Sequence, residues 1–526
     1  MKRLLATSCM FVTLTVAVSA VGALAATRDK GRDTMAPASQ VAAPTDQSAT
    51  SHGSVRIDGQ TIDYTATAGT LVLRNKDRQP IATMSYVAYA KNGVKDPAER
   101  PITFVYNGGP GSATMWLHML AFGPKRVVIG NAVAGTPAPF QMVNNDESLL
   151  DASDLVFIDA PGTGFGRVID KDHGGVGTAK DVYGYDEDAE AFAQFITRYL
   201  TLNSRWNSPK FLFGESYGTT RSAILANILE SDDSVRLNGV LLLSTVLDRP
   251  LSVNDPKLNP GTNLPYVLGL PSYTATAWYH HKLPQQPDDL QALLKEVGQF
   301  AATDYAGALY QGAELPGATR QQIAEKLHQY TGLPTAYILT ADLRIAGNEF
   351  AQELLHDEGM VTGRLDSRYS GPALDALARA SSYDPMNASI GAPTVAEFDG
   401  YMRNTLGFGK GMIYNTHLNV SGMWDYTHRQ PGRRQATGTS NVMPDLASAM
   451  QHNPNLKILV MGGYFDLATP FYTAQYEMRQ LPMQAFLQKN ISYRFFPSGH
   501  MVYLDPASHK GLHDASAAFI RANCKK

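Results

Sequence analysis

Residues 211–220 have the sequence FLFGESYGTT, which joins three apolar residues to a G-x-S-x-G pentapeptide. The apolar residues predict a short buried strand, and TTRSAILANILE at 219–230 has apolar side chains at helical spacing and no proline. A G-x-S-x-G sequence between a strand and a helix can hold its serine on a sharp turn, with glycines where side chains would collide with neighbouring backbone. Ser216 is therefore a candidate nucleophile. The alternative is an ordinary loop of glycine and serine.

The composition is that of a globular protein. Of 526 residues, 44% are hydrophobic and 18% are charged, and the length suits one large domain with insertions or two domains. The 45 basic and 48 acidic residues give a formal net charge of −3, so there is no electrostatic reason to expect nucleic acid as a partner. The sequence has no H-E-x-x-H motif, and GFGKG at 407–411 lacks the spacing of a phosphate-binding loop. We therefore predict no metal and no cofactor.

The first 26 residues predict export. Lys2 and Arg3 precede an uncharged run that ends in small residues, the pattern of a signal peptide over residues 1–25. The alternative is an uncleaved membrane anchor, but the many Thr, Ser and Ala residues make the run only weakly hydrophobic. We predict a periplasmic or secreted protein without stable membrane insertion. Cys524 alone would remain after cleavage, which excludes an internal disulfide.

The remaining chain divides into four predicted segments. Residues 26–53 lack apolar periodicity and predict a flexible tether. Residues 54–248 begin with alternating patterns typical of antiparallel strands and continue with strands that alternate with helices, which predicts an open α/β sheet. Helical patterns dominate residues 249–443, so we predict a helical cap inserted into the sheet domain, which resumes over residues 444–526.

Two residues near the C-terminus are candidates to activate the serine. A serine hydroxyl needs a base to take its proton and a carboxylate to orient that base. His500 follows the strand pattern ISYRFF, and Asp466 follows the strand pattern LKILVMGG. Ser216, Asp466 and His500 thus each come after a predicted strand, in the chain order of α/β-hydrolase triads. The alternatives are a helix cap for Asp466 and a turn residue for His500.

The negatively charged oxygen of a tetrahedral intermediate needs backbone N–H donors. In this kind of site one donor is the amide after the nucleophile, here Tyr217, and the other comes from an early loop at the end of a strand. The sequence NGGPGS at 107–112 supplies such a loop, in which Gly109 is the candidate donor. The alternative is that this loop is only a tight turn.

Four motifs together resemble the serine carboxypeptidases, a branch with the α/β-hydrolase fold. They are NGGPGS, DLVFIDAPGTGFG, GESYG, and the pair GYFDLATP with GHMVYLDP, which occur in order between residues 107 and 506. The resemblance implies a nucleophile at Ser216, a base at His500 and an orienting carboxylate at Asp466, with oxyanion donors at Gly109 and Tyr217.

The resemblance also implies how a substrate is recognised. Asn107 and Glu215 would hydrogen-bond the free carboxylate of a peptide's last residue, with Glu215 protonated. The family often has a second glutamate at the position of Ala121 in this chain. It also often has a tryptophan where this chain has Val105, and a cysteine where this chain has Ser112. Paired carboxylates share a proton and raise one pKa. We therefore predict that Glu215 loses its proton at a lower pH than it does in relatives that have the pair. Burial of Glu215 would still raise its pKa in part.

The predicted function is an exported serine carboxypeptidase that releases C-terminal residues through an acyl-enzyme. One alternative is an esterase or acyltransferase that uses the same triad on a non-peptide acyl donor. Another is a non-catalytic binding protein on the same fold. The intact triad and the two glycine motifs argue against the last.

Overall fold

A computed structural model describes residues 44–129, 135, 137–254 and 256–524. Its fourteen strands are short where they are central and long at the start of the chain. They are β1 (Gln47–Ile57), β2 (Gln60–Arg74), β3 (Pro80–Lys91), β4 (Ile102–Tyr106), β5 (Lys125–Val127), β6 (Met142–Asn144), β7 (Asp154–Ile158), β8 (Arg167–Val168), β9 (Lys210–Glu215), β10 (Gly239–Leu243), β11 (Met360–Thr362), β12 (Ser370–Pro372), β13 (Lys457–Gly463) and β14 (Ile491–Phe496).

Nine of these strands form one sheet in the order β1-β2-β3-β7-β4-β9-β10-β13-β14, and β8 pairs with β3 at its side. The first three strands and the β3–β7 pair are antiparallel, whereas every neighbour from β7 to β14 is parallel. The predicted mostly parallel α/β sheet with antiparallel strands at its start is confirmed. The carboxyl ends of its parallel strands meet at one edge, where ligands bind in such sheets.

The predicted tether was too long. Residues 1–43, which include the predicted signal peptide, lie outside the described residues, but residues 47–53 belong to β1. They pair with β2 from Gln47 opposite Thr70 to Gly53 opposite Tyr64. The sequence QSATSHG carries almost no apolar side chain, so its side chains gave no strand signal; backbone hydrogen bonds hold this edge strand in place.

In the part of the chain that the structure describes, twelve α-helices surround the sheet or fill the insertion. They are α1 (Tyr185–Leu202), α2 (Tyr217–Ser231), α3 (Leu264–Tyr279), α4 (Leu290–Phe300), α5 (Ala306–Gln311), α6 (Gly317–Thr331), α7 (Thr335–Thr340), α8 (Gly347–Glu353), α9 (Pro385–Gly400), α10 (Met443–His452), α11 (Phe471–Arg479) and α12 (Pro506–Ala522). Helices α3 to α9 lie between β10 and β13, as the predicted helical insertion requires, while its boundaries at 249 and 443 stay a prediction. Within the described residues no helix combines the length and the apolar character needed to cross a membrane.

The apolar core lies on both faces of the sheet. Helix α1 buries one of its own faces in this core. Its side chains Phe192, Phe195 and Ile196 are fully enclosed, as the helical spacing predicts. The insertion has an apolar cluster of its own, in which the Tyr273 and Phe350 rings stack with centroids 4.5 Å apart. Burial of these large side chains stabilises the elements that carry the site.

Candidate active site

Ser216 occupies a strained turn between β9 and α2. Its backbone has φ 60° and ψ −129°, a conformation that L-residues rarely adopt, and its N–H donates to the Leu243 carbonyl at 2.9 Å. The turn is crowded, since a Cβ on Gly214 would lie 2.2 Å from the Gly218 oxygen and one on Gly108 would lie 2.5 Å from the Tyr217 nitrogen. The predicted strand, sharp turn and helix are therefore confirmed, and the glycines are required by space.

His500 and Asp466 form a buried pair beyond the ends of β14 and β13. The Asp466 Oδ2 atom lies 2.8 Å from His500 Nδ1, and the two residues are 0% and 3% exposed, respectively. Backbone amides of Ala468 and Thr469 donate to Asp466 Oδ1, and the Thr469 hydroxyl donates to Asp466 Oδ2 at 2.7 Å. These donors fix the carboxylate, and the carboxylate in turn fixes the imidazole.

The charge of Asp466 controls the protonation of His500. Burial disfavours the imidazolium, but the negative charge of Asp466 and its hydrogen bond outweigh burial and raise the pKa of His500 above its ordinary value. Ser216 Oγ forms no hydrogen bond with His500 among the described residues. Catalytic hydrogen bonds are often long without substrate and shorten when it binds.

The two predicted oxyanion donors border the same cavity as Ser216. Gly109 and Tyr217 both line it, and neither backbone N–H donates to a described residue. Tyr217 is the first residue of α2, so its amide points from the positive end of that helix. Gly109 has φ 111°, which favours glycine. This arrangement can place two donors around an oxygen bound beside Ser216.

Asn107 and Glu215 are brought together, but away from the cavity wall. Asn107 Nδ2 donates to Glu215 Oε1 at 2.7 Å, and Asn107 Oδ1 accepts from the Leu117 amide at 3.0 Å. Each residue is 2% exposed, and neither is among those that line the cavity. They lie behind the cavity wall, as do His500 and Asp466, which are also absent from the lining residues.

Burial dominates the protonation of Glu215. It raises the pKa of Glu215 to about 7, against a smaller lowering by the charge of His500. The position of the missing second carboxylate, Ala121, is fully buried. The Tyr503 hydroxyl instead lies near Glu215 and lowers its pKa, although neither that hydroxyl nor Glu215 Oε2 has a partner within hydrogen-bond geometry among the described residues. Tyr503 was not predicted, and its place within a loop motif carried no signal for this role.

A buried ion pair supports the loop after β4. Arg221 on α2 and Asp188 on α1 are 0% and 2% exposed, and the guanidinium makes hydrogen bonds of 2.7 and 3.1 Å to the carboxylate. Arg221 Nη1 also donates to the Asn107 carbonyl at 2.8 Å. The pair thus connects the helix that follows Ser216 to the loop that carries Gly109.

The cavity that holds Ser216 has a volume of about 670 Å³. Part of its wall comes from the insertion predicted over residues 249–443, which contributes Arg249 and Arg364 and, farther along the chain, Trp424 and Tyr426. None of the four was predicted, because none belongs to a motif that the sequence shows. A cavity of this size can hold a few residues of a peptide or a comparably large ester.

The mostly parallel sheet, with Ser216 in the turn after β9 and the histidine–aspartate pair beyond β13 and β14, has the arrangement of the α/β-hydrolase fold. The serine carboxypeptidase family model matches residues 71–268 of the 526 residues. The pheromone-processing carboxypeptidase KEX1 of Saccharomyces cerevisiae is 29% identical over 183 residues, which are 33% of this chain and 23% of that protein. The match thus spans less than a quarter of the length of this curated relative.

A solved structure shares the fold. The structure of KEX1(delta)p, a prohormone-processing carboxypeptidase from Saccharomyces cerevisiae, superposes with a TM-score of 0.52. The identity is 16%, and the alignment covers 86% of this chain and 91% of that one. This likeness supports the predicted α/β-hydrolase fold.

Proposed function

We propose that this protein is an exported serine carboxypeptidase that removes residues from the C-termini of peptides. The observation that carries the proposal is the strained Ser216, which borders a cavity also lined by Ala468 and Thr469, whose amides donate to Asp466 of the buried pair. Strain at a nucleophile is kept only where the surrounding fold enforces it. The match of residues 71–268 to the serine carboxypeptidase family model supports the same proposal.

In this mechanism His500 Nε2 takes the proton from Ser216 Oγ as Oγ attacks the last peptide carbonyl. Asp466 holds the imidazole through Nδ1 and stabilises its positive charge. The amides of Gly109 and Tyr217 stabilise the oxyanion. His500 then gives its proton to the leaving amine of the C-terminal residue, and water, deprotonated by His500, hydrolyses the ester on Ser216.

We further propose that Asn107 and Glu215 take part in recognition of the substrate's carboxylate. A carboxyl with a pKa of about 7 stays protonated in acid, so Glu215 can donate a hydrogen bond there. Asn107 Nδ2 holds the other oxygen of Glu215 and fixes its orientation. Both act as neutral donors.

An esterase or acyltransferase with the same triad is the second candidate. The observation that favours it is alanine at position 121, where the family that the chain resembles often has a second glutamate. An enzyme that did not recognise a free carboxylate would hydrolyse an ester and a C-terminal amide as readily as the matching acid.

The experiment is to incubate the protein with a peptide of known sequence and to follow its products by mass spectrometry. The proposal predicts masses that fall by one residue at a time from the C-terminus, and no cleavage by Ser216→Ala. An organophosphonate should label wild type at Ser216 and leave Ser216→Ala unlabelled. Hydrolysis of esters without shortening of the peptide would favour the second candidate.

Export rests on the sequence of residues 1–25 alone. We propose cleavage after Ala25 and a periplasmic or secreted enzyme. N-terminal sequencing of the protein recovered outside the cytoplasm should begin near Ala26. Recovery of an uncleaved chain from the membrane fraction would support the anchor instead.

A further inference from the structure

Two arginines border the cavity that contains Ser216, and neither is neutralised by a described carboxylate. Arg249 and Arg364 both line this cavity and form no ion pair with any described residue, a set that leaves out Asp255. Asp248 is the one carboxylate among the described lining residues, and it adjoins Arg249 in the sequence. A cavity with more positive than negative side chains attracts an anionic ligand.

Arg364 is fixed to both loops that carry the histidine–aspartate pair. Its carbonyl accepts from the amide of Leu467, next to Asp466, at 3.1 Å. The carbonyl of the following residue, Leu365, accepts from the His500 amide at 2.7 Å. Asp384 Oδ2 accepts from the amides of Arg364 and Leu365, at 2.8 and 2.9 Å. The backbone of Arg364 therefore keeps a defined place relative to His500.

The guanidinium of Arg364 has N–H groups that do not donate to any described residue. Its Nε donates to Asn254 Oδ1 at 3.1 Å, and its two Nη groups donate to no described residue. The side chain is exposed, and its charge is close enough to lower the pKa of His500. Arg249 differs, because its guanidinium lies over the Tyr426 ring, 5.4 Å from the centroid. Two parallel N–H groups of a guanidinium match the two oxygens of a carboxylate.

The chemistry of the proposed function locates the substrate's carboxylate on this side of the site. His500 gives its proton to the nitrogen of the departing C-terminal residue, and the free carboxylate is two bonds from that nitrogen. The proposed donors Asn107 and Glu215 are neutral when they donate, so they leave the carboxylate's charge uncompensated. A carboxylate that leaves water needs an opposite charge as well as hydrogen bonds.

We infer that Arg364 is the residue that pairs with the free carboxylate of the substrate's C-terminal residue. This inference rests on the proposed carboxypeptidase function. It adds Arg364 to Asn107 and Glu215 as a residue that favours an acid over an amide, whereas the triad acts on both.

The test measures kcat/KM for three substrates with one acyl group: a blocked dipeptide with a free carboxylate, its C-terminal amide, and the blocked methyl ester of its first residue. Arg364→Ala should lower kcat/KM for the acid about 10- to 100-fold, mainly through KM, since a hydrogen bond to a charged group is lost. Values for the amide and ester should stay near those of wild type. Arg364→Lys should recover part of the loss in kcat/KM, because lysine keeps the positive charge but lacks the two parallel N–H groups of the guanidinium.

Arg249→Ala is the matched control, since it removes a second charge from the same cavity and should keep the acid-to-amide ratio. The inference is wrong if Arg364→Ala keeps the wild-type ratio or if Arg249→Ala abolishes it. If Arg364→Ala is unstable in thermal unfolding, Arg364→Gln replaces it with the same expectation. A wild-type protein that cleaves the ester but not the acid would contradict the proposed function itself. A wild-type protein that prefers the acid, with an Arg364 variant that keeps the same preference, would contradict only the inference about Arg364.

Discussion

Asn107 Nδ2 lies 2.7 Å from Glu215 Oε1 in a site where each residue is only 2% exposed. This burial, rather than a second carboxylate, is the main cause of the raised pKa of Glu215, which reaches about 7. A raised pKa in a carboxyl means that the proton is kept as pH rises from 4.5 to about 7 and is lost above that. Ionised Glu215 would repel the substrate's carboxylate.

The first prediction is a pH dependence that differs between substrates. Hydrolysis of the free-carboxylate peptide should fall as pH rises through about 7, while ester hydrolysis, which needs only neutral His500, should persist. Glu215→Gln, which cannot ionise, should remove this alkaline limb for the peptide. Ala121→Glu should move it upward, because a second carboxylate raises the pKa further.

Profiles of kcat/KM against pH for both substrates decide this prediction. The acid limb, set by His500, serves as an internal control because it is common to both substrates. If the acid and ester profiles shift in parallel in Ala121→Glu, or if neither shifts, Glu215 has no role in recognition of the carboxylate.

The second prediction concerns the strain at Ser216. Ser216→Ala and Ser216→Gly should both lower kcat by several orders of magnitude, as loss of a triad nucleophile does. Glycine adopts φ 60° without the steric cost that alanine keeps, so Ser216→Gly should be more stable than Ser216→Ala by about 1–2 kcal/mol. Urea unfolding of the two variants measures the difference. Equal stability would show that the fold does not strain this residue.

The third prediction concerns His428, two residues after Tyr426 of the cavity wall. Its Nδ1 lies 2.6 Å from Asp186 on α1 and its Nε2 2.8 Å from Asp445 on α10. Burial disfavours the imidazolium, but the two carboxylates outweigh it and raise the pKa of His428 to about 9. Because the folded pKa is raised, this stabilisation is complete below the ordinary pKa of 6.5 and is lost as pH rises through about 9.

A pKa shift of this size means that protonated His428 contributes on the order of 3 kcal/mol to the free energy of unfolding. Wild type and His428→Gln are compared by urea unfolding at pH 6 and pH 10. The destabilisation caused by the substitution should be larger at pH 6 and should shrink at pH 10. A constant difference between the two proteins would mean that His428 does not carry the charge.

Prediction from the sequence succeeded where a motif is local. The turn at Ser216 needs only its own glycines, a strand before it and a helix after it. The sequence patterns for these three features all lie within residues 211–230. Asp466 and His500 were found because each follows a strand pattern, and the structure brings them within 2.8 Å. Their catalytic roles stay proposals.

Prediction failed where position depends on tertiary packing. Arg364 lies in the insertion, and its place beside His500 is set by backbone hydrogen bonds that no side-chain pattern reveals. Tyr503 lies in a recognised motif, but its approach to Glu215 depends on how two loops pack. The strand over residues 47–53 was missed because an edge strand can form with polar side chains.

The fourth prediction concerns the buried pair of Arg221 and Asp188. Replacement of Arg221 by methionine should destabilise the protein by about 3–5 kcal/mol, because Asp188 would keep an uncompensated buried charge. The double variant Arg221→Met with Asp188→Leu should recover part of this loss. Thermal unfolding of both variants measures it. A single variant as stable as wild type would show that the pair does not support the site.

The proposed function, shortening of peptides from their C-termini, is tested most directly by the products of one peptide offered in two forms. Mass spectrometry follows the free acid and the C-terminal amide of the same sequence under identical conditions at acid pH. The account predicts stepwise loss of single residues from the acid, much slower loss from the amide, and no loss from either with Ser216→Ala. Internal cleavage, or equal rates for acid and amide, would contradict it.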